Sequence, residues 1–145
     1  MLPYFINYRR DGYDFEGYWN DGLASYREKK VMDLFDGEKE NSEYFSPEMK
    51  KLANLGSDSN KFDAITTGLM MKTFIVTSGF AHKVNKKGEE YGWSIATFAT
   101  PEHIFGKELV FSRYKEEPEE SKEFIVNKFC HTNFISLANN FDSIH

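Results

Sequence analysis

Carboxylates set among aromatic rings are the first residues able to do chemistry. Asp11, Asp14, Glu16 and Asp21 are interleaved with Tyr8, Tyr13, Phe15, Tyr18 and Trp19. A carboxylate pair in such surroundings suits acid–base or glycosidic chemistry. No spacing here brings two of them to one site, however, and rings alternating with acids also suit a packed surface arm, the reading adopted. Cys130 and His131 are adjacent, which seldom serves one metal, and His82, His103 and His145 fall at no ligand interval. One cysteine excludes an internal disulfide and a multi-cysteine zinc site. Neither a Gly-X-Ser-X-Gly elbow nor a Gly-X-X-X-X-Gly-Lys phosphate loop occurs. No catalytic residue, metal or cofactor is expected, unless an acid such as Asp14 or Asp63 works alone.

The remaining candidates are basic. Lys83, Lys86 and Lys87 cluster with His82; Lys61 and Lys72 flank Thr67; Arg9 and Arg10 are consecutive. They stand out because the chain carries a net charge of −5, unlike most domains that hold phosphates through bulk electrostatics. Any nucleic-acid contact must therefore be made by a local basic surface.

Three helices and a hairpin position these groups. Ser25 and Glu28 form a capping box, after which Leu23, Tyr26, Lys30, Val31, Leu34 and Phe35 recur at helical spacing, with a C-cap expected at Gly37. This predicts a helix over 25–36, followed by a charged loop over 37–44. Ser46-Pro47-Glu48 predicts a serine-capped helix over 46–55 that carries Met49, Leu52, Ala53 and Leu55 and ends at Gly56. A third helix, 60–73, places Phe62, Ile65, Thr66, Leu69, Met70 and Thr73 on one face. Gly68 inside it costs about 1 kcal/mol relative to alanine, which calls for a close approach of either a ligand or a neighbouring helix. The period then changes: 74–84 and 91–100 are rich in β-branched and aromatic residues, and Asn85-Lys86-Lys87-Gly88 joins them as a turn. Pro101 opens a short helical turn and Pro118 a final helix; 131–145 is left undecided.

Helix, helix, helix and hairpin is the order of a winged helix, in which the third helix can enter the major groove while the wing touches the backbone. The fold class expected is thus α+β, with an irregular aromatic arm over 1–22, the winged helix over 23–106 and a helical extension over 107–145. The expected core includes Val31, Leu34, Leu52, Phe62, Ile65, Leu69, Trp93 and Ile95.

Several stretches resemble the AlkZ-related bacterial proteins. They are Tyr8-Arg9-Arg10-Asp11-Gly12-Tyr13-Asp14-Phe15, Asp21-Gly22-Leu23-Ala24-Ser25, Phe62-Asp63 with Leu69-Met70-Met71-Lys72-Thr73-Phe74, and 86–96 around Tyr91-Gly92-Trp93. The resemblance runs from about Pro3 to about Phe129. It implies kinship with the AlkZ-type DNA glycosylases, tandem winged helices that excise alkylated or crosslinked bases through a Gln-X-Gln or Gln-X-Asp pair. This sequence contains no glutamine. The resemblance also implies a chain that begins partway into the family's pattern.

The expectation is a non-catalytic domain that binds double-stranded or damaged DNA. Thr67, Lys61 and Lys72 would act on the third helix, Lys83, Lys86 and Lys87 on the wing, and Arg9 and Arg10 from the arm. The alternative is an interaction module that pairs with another protein or a second copy of itself. With no apolar run of membrane-spanning length and no signal-peptide pattern at Met1, a cytoplasmic location away from the membrane is expected.

Overall fold

The computed structural model describes residues 1–36 and 43–142, with side chains through residue 130 of the last helix. Gly37, His145 and the side chain of His131 lie outside the described residues.

The first 22 residues are helical rather than irregular: α1 spans Leu2–Arg10 and α2 spans Phe15–Asn20. Gly12 and Gly22 act as stops, not as breaks. α1 ends at Asp11, left-handed at φ 53, and Gly12 continues the turn at φ +76. Gly17 sits inside α2, where its amide donates to the capping carboxylate of Asp14 at 2.8 Å. A Cβ at Gly17 would approach that oxygen to 2.9 Å.

α3 (Tyr26–Met32) carries the expected capping box and runs into a 3-10 turn at Asp33–Phe35. Val31 and Leu34 are buried as expected, while Leu23, ahead of the helix, and Tyr26 at its start are exposed, so only the later part of the expected apolar stripe faces the core. A short strand, β1 (Glu43–Phe45), stands where a loop was expected. It feeds α4 (Ser46–Ala53), whose N-cap is Phe45, with Ser46 already helical and making no capping bond. The left-handed residue Asn54, φ 48, closes α4 before Gly56 is reached. A 3-10 segment at Gly56–Lys61 leads into α5 (Phe62–Met71).

β2 (Val76–Val84) and β3 (Glu90–Ala99) form the long antiparallel hairpin. β1 pairs antiparallel with the other edge of β3, placing Tyr44 opposite Phe98 and giving the sheet order β1-β3-β2. α6 (Pro101–Phe105) and α7 (Lys107–Val110) follow, then α8 (Pro118–Asp142), which carries helix through 131–142 of the stretch left undecided.

The core joins Val31, Leu34, Tyr44, Met49, Ala53, Phe62, Leu69, Phe74, Ile75 and Phe98. Two residues expected there lie outside it: Leu52 is 49% exposed and Trp93 94% exposed, while Ile95 is half-buried. Phe15 and Tyr18 from α2 bring their rings against Phe74 at 5.3 and 5.4 Å. α1 packs on α8 through a stack of Tyr4 on Phe124 at 3.9 Å and a buried bond from Asn7 Nδ2 to Ser121 Oγ at 2.8 Å. Among the described residues, no helix is long and apolar enough to cross a membrane.

Candidate nucleic-acid interface

The hairpin tip is built by one side chain. Asn85 Oδ1 accepts from the amides of Lys87 and Glu89 at 2.9 and 3.0 Å, and Gly88 supplies φ +80. This turn holds Lys86 and Lys87 outward, and both are exposed, as is Lys83 on β2. His82 Nδ1 lies 3.4 Å from Glu90 across the hairpin.

The outer face of α5 presents Ala64, Thr67 and Met71, all exposed, with Gly68 beside them. A Cβ at Gly68 would meet nothing within 4 Å, so packing against a neighbouring helix does not account for this glycine. Each end of the helix carries cations. At its start, Asp58 takes an ion pair from Lys61 at 3.2 Å and another from Arg27 at 2.8 Å. The hydrogen bonds from Arg27 and then Lys61 hold the Asp58 carboxyl below its ordinary range. Arg27 was not singled out from sequence because its role arises only from its position 31 residues before Asp58.

At the other end, Arg9 Nε donates to the carbonyl oxygen of Met71 at 2.7 Å, where the helix dipole favours a cation. Lys72 is half-buried, 3.2 Å from Glu28 and 5.0 Å above the Tyr18 ring. Burial pulls its pKa down, but the bonds to Tyr18 and Glu28 outweigh that and raise it, so Lys72 stays charged and engaged within the fold.

Arg10 is not part of any surface. It is 2% exposed, its Nη2 donates to the carbonyl oxygen of Thr73 at 2.8 Å, and its Nη1 pairs with Glu102 and lies 3.3 Å from the Tyr114 hydroxyl. Its guanidinium also sits 5.0 Å over the Phe74 ring. Burial alone would lower its pKa; Glu102 and Tyr114 together more than offset this. The residue expected to reach DNA instead ties α1 to α6 and to the segment entering β2. Beside it opens a cleft of about 1000 Å³ walled by Phe15, Trp19 and Phe35. In its wall Arg10 pairs with Glu102 and Lys29 with Asp33 at 2.8 Å, and Glu16 and Asp36 outweigh Lys107, so it offers no net positive field. Among the described residues, no group of three His, Cys, Asp or Glu is arranged to hold a metal.

Sequence reasoning also missed the hairpin's exposed aromatic residues. Phe80 and Trp93 are 71% and 94% exposed, and Tyr91 stands directly opposite Lys83 in the ladder.

These features define a small mixed helix-and-sheet domain with a three-stranded antiparallel sheet and a projecting basic hairpin. The model of the AlkZ-related family matches residues 1–139, and the chain belongs to that family. No curated protein and no solved structure gives a significant match.

Proposed function

We propose that the chain is a winged-helix domain that binds DNA without cleaving a glycosidic bond. The observation that carries this reading is the order of elements: α3, β1, α4, α5 and then the β2–β3 hairpin, with β1 closing the sheet on the far edge of β3. In that arrangement α5 is the helix offered to the major groove and the hairpin is the wing. The exposed lysines at the tip and the open face at Thr67 and Gly68 support the reading, as does kinship with DNA-repair glycosylases. The absence of glutamine from the chain supports a non-catalytic role.

The proposed winged helix spans 23–106, between the arm 1–22 and the extension 107–145. Lys83, Lys86 and Lys87 meet phosphates, because lysine on a hairpin is a point charge without bidentate geometry. Thr67 and Lys61 lie where base edges are reached, with Arg9, Lys72 and Arg27 adding charge at the ends of α5. The proposed location is the cytoplasm.

Fluorescence anisotropy with duplex and damaged DNA at low salt tests this reading. Replacing Lys83, Lys86 and Lys87 by alanine should weaken binding to every duplex alike and lower the salt slope by about 0.9 for each phosphate no longer neutralised. No binding by the wild type at tens of micromolar protein overturns the proposal. That outcome would favour a second reading, an interaction module, for which the specific observation is an apolar groove of about 330 Å³ lined by Phe45, Pro47, Val84 and Ile95.

A further inference from the structure

Opposite Ala81 in the hairpin stands Ile95, and opposite Lys83 stands Tyr91. β3 therefore uses four residues where β2 uses two, and the excess is a bulge containing Gly92 and Trp93. Gly92 adopts φ +76, a backbone region that other residues enter at a cost, although a Cβ there would meet nothing within 4 Å. Glycine is thus demanded by the shape of the bulge and not by a neighbour. That shape leaves Trp93 94% exposed, and Tyr91, two residues earlier, is 52% exposed. A tryptophan ring that forgoes burial of about 200 Å² is unusual in a chain that must fill a small core. Bulges re-aim side chains at the sites where they act.

The surroundings identify the occupant. Lys83 faces Tyr91 in the ladder, and Lys86 and Lys87 follow at the tip. Flat rings beside several cations suit a polyanion that carries flat π faces, since bases stack on aromatic side chains while the cations follow the backbone. A second copy of the chain fits less well, because a two-fold interface through this patch would set the same lysines against each other.

We propose that Trp93, with Tyr91 two residues before it on β3, is a stacking platform for an unpaired nucleobase, so that the hairpin favours DNA containing an unstacked nucleotide over intact duplex. This rests on the DNA-binding reading and adds a specificity to it. No covalent step is involved.

The chain has two tryptophans, Trp19 and Trp93. In a Trp19→Phe variant, Trp93 is the sole indole emitter. That variant is titrated with an intact duplex, with the same duplex carrying one unpaired thymine, and with an oligothymidine strand, while anisotropy reports binding independently. Stacking should quench Trp93 emission with the two unpaired DNAs and leave it little changed with duplex. In the otherwise wild-type chain, the unpaired thymine should tighten binding by about tenfold or more. Trp93→Ala should abolish that preference without altering affinity for intact duplex, and Trp93→Phe should retain part of it. Binding to all three DNAs with equal affinity, or without quenching, overturns the stacking platform and leaves the DNA-binding reading standing. Absence of binding to any DNA overturns both. Sedimentation showing a dimer that Trp93→Ala dissolves would assign the patch to a second copy and overturn the proposal.

Discussion

Arg10 Nη2 donates to the carbonyl oxygen of Thr73 at 2.8 Å, and Thr73 is a β-branched residue held at φ 64. A buried cation and a strained turn thus hold each other where α5 gives way to the sheet. Arg10→Ala leaves Glu102 without its partner and frees that turn. It should cost about 3 kcal/mol, the lower end for breaking a buried pair because Glu102 is partly exposed. Thr73→Gly should act in the opposite sense. It relieves the left-handed strain and removes a buried Oγ1 that has no hydrogen-bond partner among the described residues, a gain of about 1 kcal/mol. Urea titration of both variants checks the pair, and a Thr73→Gly protein weaker than wild type would contradict this account of the turn.

Leu69 and Trp93 should respond oppositely to truncation. Leu69 is fully buried, so Leu69→Ala should lose about 2–5 kcal/mol. Trp93→Ala should stay within about 0.5 kcal/mol of wild type, as surface changes do. A large loss at Trp93 in denaturant titration would place its ring against the fold.

Gly68 offers a separation of stability from binding. With open space around it, Gly68→Ala should raise stability by about 1 kcal/mol through helix propensity alone. If DNA backbone approaches α5 there, the same methyl should weaken binding. A variant both more stable and equally tight would remove α5 at Gly68 from the interface.

Asp58 predicts a pH dependence. Its carboxyl is held below the ordinary range by Arg27 and then Lys61, so the folded-state pKa lies beneath the unfolded one. The stabilisation is then full above the unfolded pKa and is lost as the pH falls through the depressed value. Asp58→Asn should flatten the acid limb of stability below about pH 5, followed by thermal melts. An unchanged acid limb would show that the pairing is made equally in the unfolded chain.

What the sequence disclosed was local in origin. The capping box of Ser25 and Glu28 acts within one turn, and the hairpin announces itself by its β-branched runs and the turn at Gly88, so α3 and β2–β3 could be read directly. β1 could not, because three residues carry no period and become a strand only by pairing with β3. α1 and α2 were hidden by reading Gly12, Gly17 and Gly22 as interruptions, when Gly12 and Gly22 lie just past helix ends. Trp93 was assigned inward by continuing the alternation from Ile95, which the bulge breaks. Arg10 was assigned outward because Glu102, its partner 92 positions away, cannot be seen in a local window.

The contact between α1 and α8 also orders events in time. Asn7 donates to Glu116 and Ser121, 109 and 114 positions downstream. During synthesis at about 5–20 residues per second, the first helix emerges roughly 5–20 s before its seat exists. A nine-residue helix has little stability alone in water. α1 is therefore secured in two stages: Arg9 and Arg10 can engage Met71 and Thr73 as soon as α5 and the turn after it exist, while Asn7 waits for α8.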